Sequence, residues 1–200
     1  MEPVNPIYQI LKGNIFHSTS LTNLSSIIAS GQIEGGHSEN PAGFCQCSKF
    51  TSKLGLAVSL SDLSLASEAT LLSHGTNWAN QIYRPYGGSQ QDDGSYIYTT
   101  IILQRSRLAE DACFSWQRIK EECPSLIREC DGIPLPINGR LIIESEVCYT
   151  RPIPLSAFSE ILAVAKHGNM HRLFKWSNDS PKKTLSELDH YSLSCGRSCP

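Results

Sequence analysis

The chain has 200 residues, 40% of them apolar and 18% charged, with a net charge of −2. That is one domain's length with enough apolar content for a real core, and no apolar run is long enough to span a membrane. The charge argues against a protein held to nucleic acid by bulk electrostatics, though a local basic groove is compatible with it. The opening residues MEPVNPIYQIL carry neither a basic n-region nor a long apolar h-region. They point to a cytoplasmic address, or to export by a specialised system into a host or target cell.

In chain order, Asn14 to Thr19 has strand character in Ile15 and Phe16. In LTNLSSIIASGQI, Leu21, Leu24, Ile27 and Ile28 fall at helical spacing, Ser20 or Thr22 can cap the start, and Gly31 supplies the stop. Residues Glu34 to Ser52 form a long Gly-, Ser- and Asn-rich loop. Leu54 to Leu60 reads as a short buried strand, and Asp62 or Ser64 can cap a helix reaching about Ser73. His74 to Gly94 is irregular and contains Trp78, Tyr83 and Tyr86. Tyr96 to Leu103, YIYTTIIL, is the strongest strand. Arg107 to about Cys130 is helical in character, interrupted at Pro124.

Next comes a strand from about Arg140 to Tyr149, broken by Pro152 and Pro154. A helical turn at Leu155–Phe158 and an apolar strand at Ile161–Val164 follow it. In the first of these strands, Glu144 and Glu146 would project side by side, because neighbours at i and i+2 share a face. Two like charges so placed cost stability unless a cation or an aqueous cleft faces them. The pair is therefore a candidate acid/base or cation-stabilising site, with a plain solvated strand face as the alternative. After Asn169 the chain turns polar, so the expected division is a folded domain over 1–168 and a polar extension over 169–200. Strands interspersed with helices, without strict βαβ alternation, predict an α+β fold.

Eight cysteines, Cys45, Cys47, Cys113, Cys123, Cys130, Cys148, Cys195 and Cys199, raise the question of disulfides. A chain of this length without a secretory signal is expected to keep most of them as free thiols. The alternative of another class is a non-catalytic or zinc-stabilised interaction module, the zinc on Cys45, Cys47, Cys195 and Cys199, but C-x-C and C-x-x-x-C depart from the usual two-residue knuckles. His167 and His171 stand four apart without an acidic partner and read as surface residues, so no metal ligand is assigned.

The segment IFHSTSLTNLSSIIASGQI resembles the first strand and helix of ADP-ribosyltransferases, through Phe16, His17, Thr19, Asn23, Leu24, Ile27 and Gly31. LAVSLSD, with Ser59 and Ser61, resembles the serine motif of their second core strand, and Glu144-Ser145-Glu146 resembles their E-x-E. The order His, Ser, Glu matches, and the resemblance covers roughly residues 14 to 165.

It implies an ADP-ribosyltransferase-like core of two packed, mainly antiparallel sheets flanked by helices. It also implies an enzyme that moves ADP-ribose from NAD+ to a macromolecular acceptor, as a toxin, effector or defence factor, with an immunity or antitoxin partner conceivable. On that resemblance Glu146 stabilises the cationic sugar and Glu144 serves the acceptor. His17 holds the adenosine ribose, and Ser18 or Thr19 binds the nicotinamide amide. Ser59 and Ser61 position Glu146, and Tyr83 stacks on nicotinamide. E-x-E is typical of enzymes that modify protein arginine, which favours a protein acceptor. The first segment is most similar to the DarT-type toxins that modify DNA bases, which keeps nucleic acid open as the alternative.

Overall fold

The computed structural model describes residues 10–35, 55–65, 89–90, 96–122, 124, 145–167 and 170–177. Strand β1 (Ile15–Thr19) leads into helix α1 (Leu21–Ser30), and a short β2 (Gln32–Ile33) follows. Then come β3 (Val58–Asp62), β4 (Ser89–Gln90), β5 (Tyr96–Leu103), β6 (Cys113–Ser115) and helix α2 (Trp116–Glu122). The described chain continues through β7 (Glu146–Tyr149), β8 (Ile153–Pro154), β9 (Phe158–His167) and β10 (Met170–Ser177). The fold is α+β, and every strand pairing is antiparallel.

One eight-stranded sheet runs β10-β9-β5-β1-β3-β7-β6, with β4 paired to β5, and β2 and β8 form a separate two-stranded ladder. The large sheet is not uniform. β5 pairs with β9 over eight residue pairs and β1 with β5 over five, and β3 pairs with β7 over four. Between β1 and β3 only Ile15–Asp62 and Phe16–Ser61 are paired. Two well-laddered lobes therefore meet at a two-residue seam, beyond which the ladder between β1 and β3 ends.

Helix α1 forms where the sequence places it, for the expected reasons. The Ser20 hydroxyl accepts the backbone N–H of Asn23 at 3.1 Å, satisfying one of the orphan donors of the first turn. Gly31 ends the helix at φ +82°, its N–H bonded to the Ile27 carbonyl. Leu24 and Ile28 point from the helix into a core with Ile15, Leu60, Ile101, Val147 and Ile161. Each such side chain contributes roughly 1.5–3 kcal/mol of burial, so packing against the sheet rather than local propensity holds α1 in place.

Several sequence expectations need correction. Residues 105–115 are not helical: 3-10 turns at Arg105–Arg107 and Glu110–Ala112 precede β6, and α2 starts only at Trp116. Pairing of Cys113–Ser115 with β7 overrides the local helical pattern. The buried strand expected at Leu54–Leu60 is shifted to Val58–Asp62, with Leu56 exposed. The helix expected after Asp62 begins as a 3-10 turn at Leu63–Leu65, where Asp62 accepts both the N–H and the hydroxyl of Ser64. The boundary expected at residue 168 falls inside a hairpin, since β10 pairs with β9 along eight residues. Of the strand expected from Arg140 to Tyr149, Glu146–Tyr149 is strand and Ser145 is helical, while residues 140–144 lie outside the described residues. No helix among the described residues is long and apolar enough to cross a membrane.

Gly31 sits in left-handed backbone with open space where a Cβ would stand, so the cost of a side chain there is conformational rather than steric. Gly31→Ala should destabilise the fold by about 1 kcal/mol, read as a lower denaturant midpoint at unchanged slope. An unchanged midpoint would show that α1 does not need this stop.

Candidate functional site

Alternation along the strands divides the sheet into two unlike faces. Ile15, Leu60, Val147, Ile101 and Ile161 belong to the apolar core face. The other face carries Phe16 and Ser18 of β1, Ser59 and Ser61 of β3, Glu146 and Cys148 of β7, and Thr100 of β5. Here Ser18, Ser59, Thr100 and Glu146 are only 4%, 5%, 0% and 2% exposed. Burying four polar side chains on one face costs stability unless each is paired, which distinguishes this face from ordinary core.

Glu146 opens β7 directly opposite Ser61. The hydroxyl that holds its carboxylate is that of Ser59, one step along the ladder, which donates to Oε1 at 2.8 Å. A hydroxyl donor to a buried carboxylate is a charge-assisted bond, shorter and stronger than a neutral one. Of the two serines expected to position the carboxylate, Ser59 makes the contact, and Ser61 is half-buried and makes no side-chain hydrogen bond among the described residues.

His17 lies on the core face by alternation, where the β1–β3 ladder has ended. Its Nδ1 is 2.9 Å from the Ser59 carbonyl oxygen. A carbonyl can only accept, so Nδ1 carries the proton and Nε2 presents a lone pair. Burial pushes the imidazole below its ordinary value of 6.5, the bond to Ser59 pulling weakly the other way. The ring is therefore neutral at pH 7, with Nε2 suited to accept from a hydroxyl such as that of a ribose. Ser59 thus joins the two faces, its carbonyl fixing His17 and its hydroxyl fixing Glu146.

Ser18 stands beside Thr100 in register. Its Oγ is buried without a hydrogen-bond partner, and an orphaned buried hydroxyl suits a ligand group that completes it. Thr19 is held through its carbonyl, which accepts from the Thr99 hydroxyl at 2.6 Å. Glu144 and Tyr83 lie outside the described residues. The helical conformation of Ser145 removes the extended backbone on which the side-by-side placement of Glu144 and Glu146 was argued. Sequence reasoning missed Thr100, although the alternation of YIYTTIIL puts one of its two threonines on each face.

Cys148, two residues beyond Glu146, is disulfide-bonded, and Cys113 is a free thiol. The partner of Cys148 therefore lies outside the described residues, as do the four cysteines weighed for zinc. The expectation of mostly free thiols has at least this exception, because spacing in sequence does not reveal which Cα atoms come within bridging range. A cavity of about 700 Å3 opens on the core face, bordered by Ile15, Asp62 and Val147 and not by Glu146 or Ser59. No protein-family model matches the chain, and no curated protein matches it in sequence.

The lowered value of His17 has a definite sign in stability. Between that value and 6.5 the unfolded chain binds a proton that the folded chain refuses. Stability contributed by His17 is thus full above about 6.5 and lost as the pH falls towards the folded value. Unfolding free energies of the parent should drop more steeply with acidification below 6.5 than those of His17→Gln. Parallel curves would mean that His17 protonates equally in both states.

Proposed function

We propose that the protein is an NAD+-dependent mono-ADP-ribosyltransferase with Glu146 as its catalytic carboxylate. The single observation that carries this reading is a buried Glu146 held by Ser59, the same residue that fixes a neutral His17. The order His, Ser, Glu along the sequence becomes one connected unit in space, and this supports the resemblance as more than a coincidence of short motifs. The described strands form one eight-stranded sheet and a two-stranded ladder instead of the two packed sheets that the resemblance implies, so the fold supports this reading only through its α+β class.

In this reading NAD+ is a co-substrate. His17 accepts a hydrogen bond at Nε2 from a ribose hydroxyl, and the orphaned Ser18 hydroxyl bonds the nicotinamide amide. The bond between ribose C1′ and the nicotinamide nitrogen breaks, and its electron pair leaves with neutral nicotinamide. Glu146 stabilises the positive charge that develops on the sugar, a fixed negative charge in a water-poor site being worth more than in bulk solvent. The acceptor forms the new bond to C1′ and loses its proton. Ser59 holds the carboxylate in place and Thr100 closes the floor beside Ser18. Residue 83 and the second glutamate at 144 remain the proposed stacking and acceptor-side groups.

A protein acceptor rests on the E-x-E resemblance. The helical backbone at Ser145 weakens that particular support and favours testing a nucleic-acid base, as in DarT-type toxins, on equal terms. Incubation with labelled NAD+ and a cell lysate separates them by whether label enters protein, nucleic acid or only free ADP-ribose.

Glu146→Gln keeps the size and shape of the side chain and removes its charge. Transfer and nicotinamide release should fall by ~10²-fold or more while NAD+ affinity changes little. Near-normal turnover by a folded Glu146→Gln variant would sink the assignment.

A further inference from the structure

The cavity on the core face has its own chemistry. Arg105 gives Nη2 to Asp62, which is buried, at 2.6 Å, and its remaining N–H groups have no partner among the described residues. Arg118 gives Nε to Glu122 and Nη1 to the carbonyls of Glu110, Asp111 and Cys113, which leaves Nη2 without a partner among the described residues. Both arginines line the cavity together with Ser115, whose Oγ accepts the Arg118 backbone N–H and keeps its own proton to donate. Ile15, Leu65 and Val147 supply apolar wall. Asp62 pairs with Arg105, Asp111 with Arg151 and Glu122 with Arg118, so what the two cavity arginines offer a ligand is the N–H groups left over from these ion pairs and not an unpaired positive charge. Glu110 has no ion-pair partner among the described residues.

A wall of apolar side chains with several unspent donors is the composition of a ligand site, and about 700 Å3 is the volume of one that takes a small molecule. Planar guanidinium forks match phosphate oxygens in pairs. We infer that this cavity binds the phosphate group of a small phosphorylated molecule, held by Arg105, Arg118 and Ser115. The site lies on the face opposite Glu146 and does not depend on the transferase reading. Val147, the residue after Glu146, forms part of its wall, so an occupant presses on the strand that carries the carboxylate.

Cys113 provides a direct reporter. It is a half-buried free thiol lining the cavity, and it feels the charges of Arg105, Arg118, Asp62 and Glu110 together. The folded, unreduced protein is treated with iodoacetamide at increasing inorganic pyrophosphate, and the modification of Cys113 is followed by peptide mass spectrometry. Occupancy slows alkylation by the factor 1 + [L]/Kd, so pyrophosphate at about ten times Kd should slow it roughly elevenfold, with saturation of the site visible in the curve.

Removing the unpaired carboxylate in Glu110→Gln should shift that curve to lower pyrophosphate. Arg105→Lys, which keeps the charge beside Asp62 but loses the planar fork, should shift it to higher. ADP serves as a second probe. Protection at lower concentration than pyrophosphate shows that the apolar wall is used as well, and protection at equal concentration shows a site for the phosphate alone. Sodium chloride at matched ionic strength is the control. Equal protection by chloride, or none by either phosphate probe, overturns the proposal.

Discussion

The structure turns on one residue whose two polar groups face opposite ways. Ser59 sits where the ladder between β1 and β3 stops after two residue pairs. Its backbone carbonyl, unpaired with β1 on that side, accepts a hydrogen bond from His17 Nδ1–H, and its hydroxyl donates to Glu146. Had the ladder continued, backbone pairing would compete for that carbonyl. The imidazole would then need another partner to fix its tautomer. The gap in pairing and the placing of the site are one constraint. A sheet that parts at its middle exposes backbone acceptors, and side chains rather than strands satisfy them.

The two faces of the sheet divide the labour of stability and function. The core face buries Ile15, Leu60, Ile101 and Val147 under α1 and contributes most of the favourable free energy. The opposite face buries Ser18, Ser59, Thr100 and Glu146, and buried hydroxyls and a carboxylate cost what the core gains unless they find partners. A buried polar face of this kind is a physical reason to seek the proposed chemistry there instead of in the cavity behind it. That cavity lies one residue away along β7, yet alternation puts it on the far side of the sheet.

Much of this was legible in the sequence where local rules decide the outcome. Ser20, the spacing of Leu24, Ile27 and Ile28, and Gly31 specify α1 from start to stop, and the β-branched run Tyr96–Leu103 specifies β5 to the residue. Residues 107–115 were not legible, because Cys113–Ser115 become a strand only through β7. HRLFKW carries no strict apolar–polar alternation, so β10 read as polar extension. At the site, motif order singled out His17, Ser59 and Glu146. It did not show that Ser59, and not Ser61, would reach the carboxylate, which depends on a diagonal contact between strands far apart in sequence. The partner of Cys148 was equally beyond the reach of spacing.

The central claim of the proposed transferase reading is that Ser59 acts through Glu146, and a double-mutant cycle on the nicotinamide release which that reading expects tests it most directly. Ser59→Ala alone should lower release substantially, because Oε1 loses the donor that positions it. In a Glu146→Gln background the same change should do almost nothing, since the charge to be positioned is already gone. Non-additivity of that kind is the predicted result. If Ser59→Ala lowers release by the same factor whether residue 146 is glutamate or glutamine, the two act independently, and the account of a connected site is contradicted.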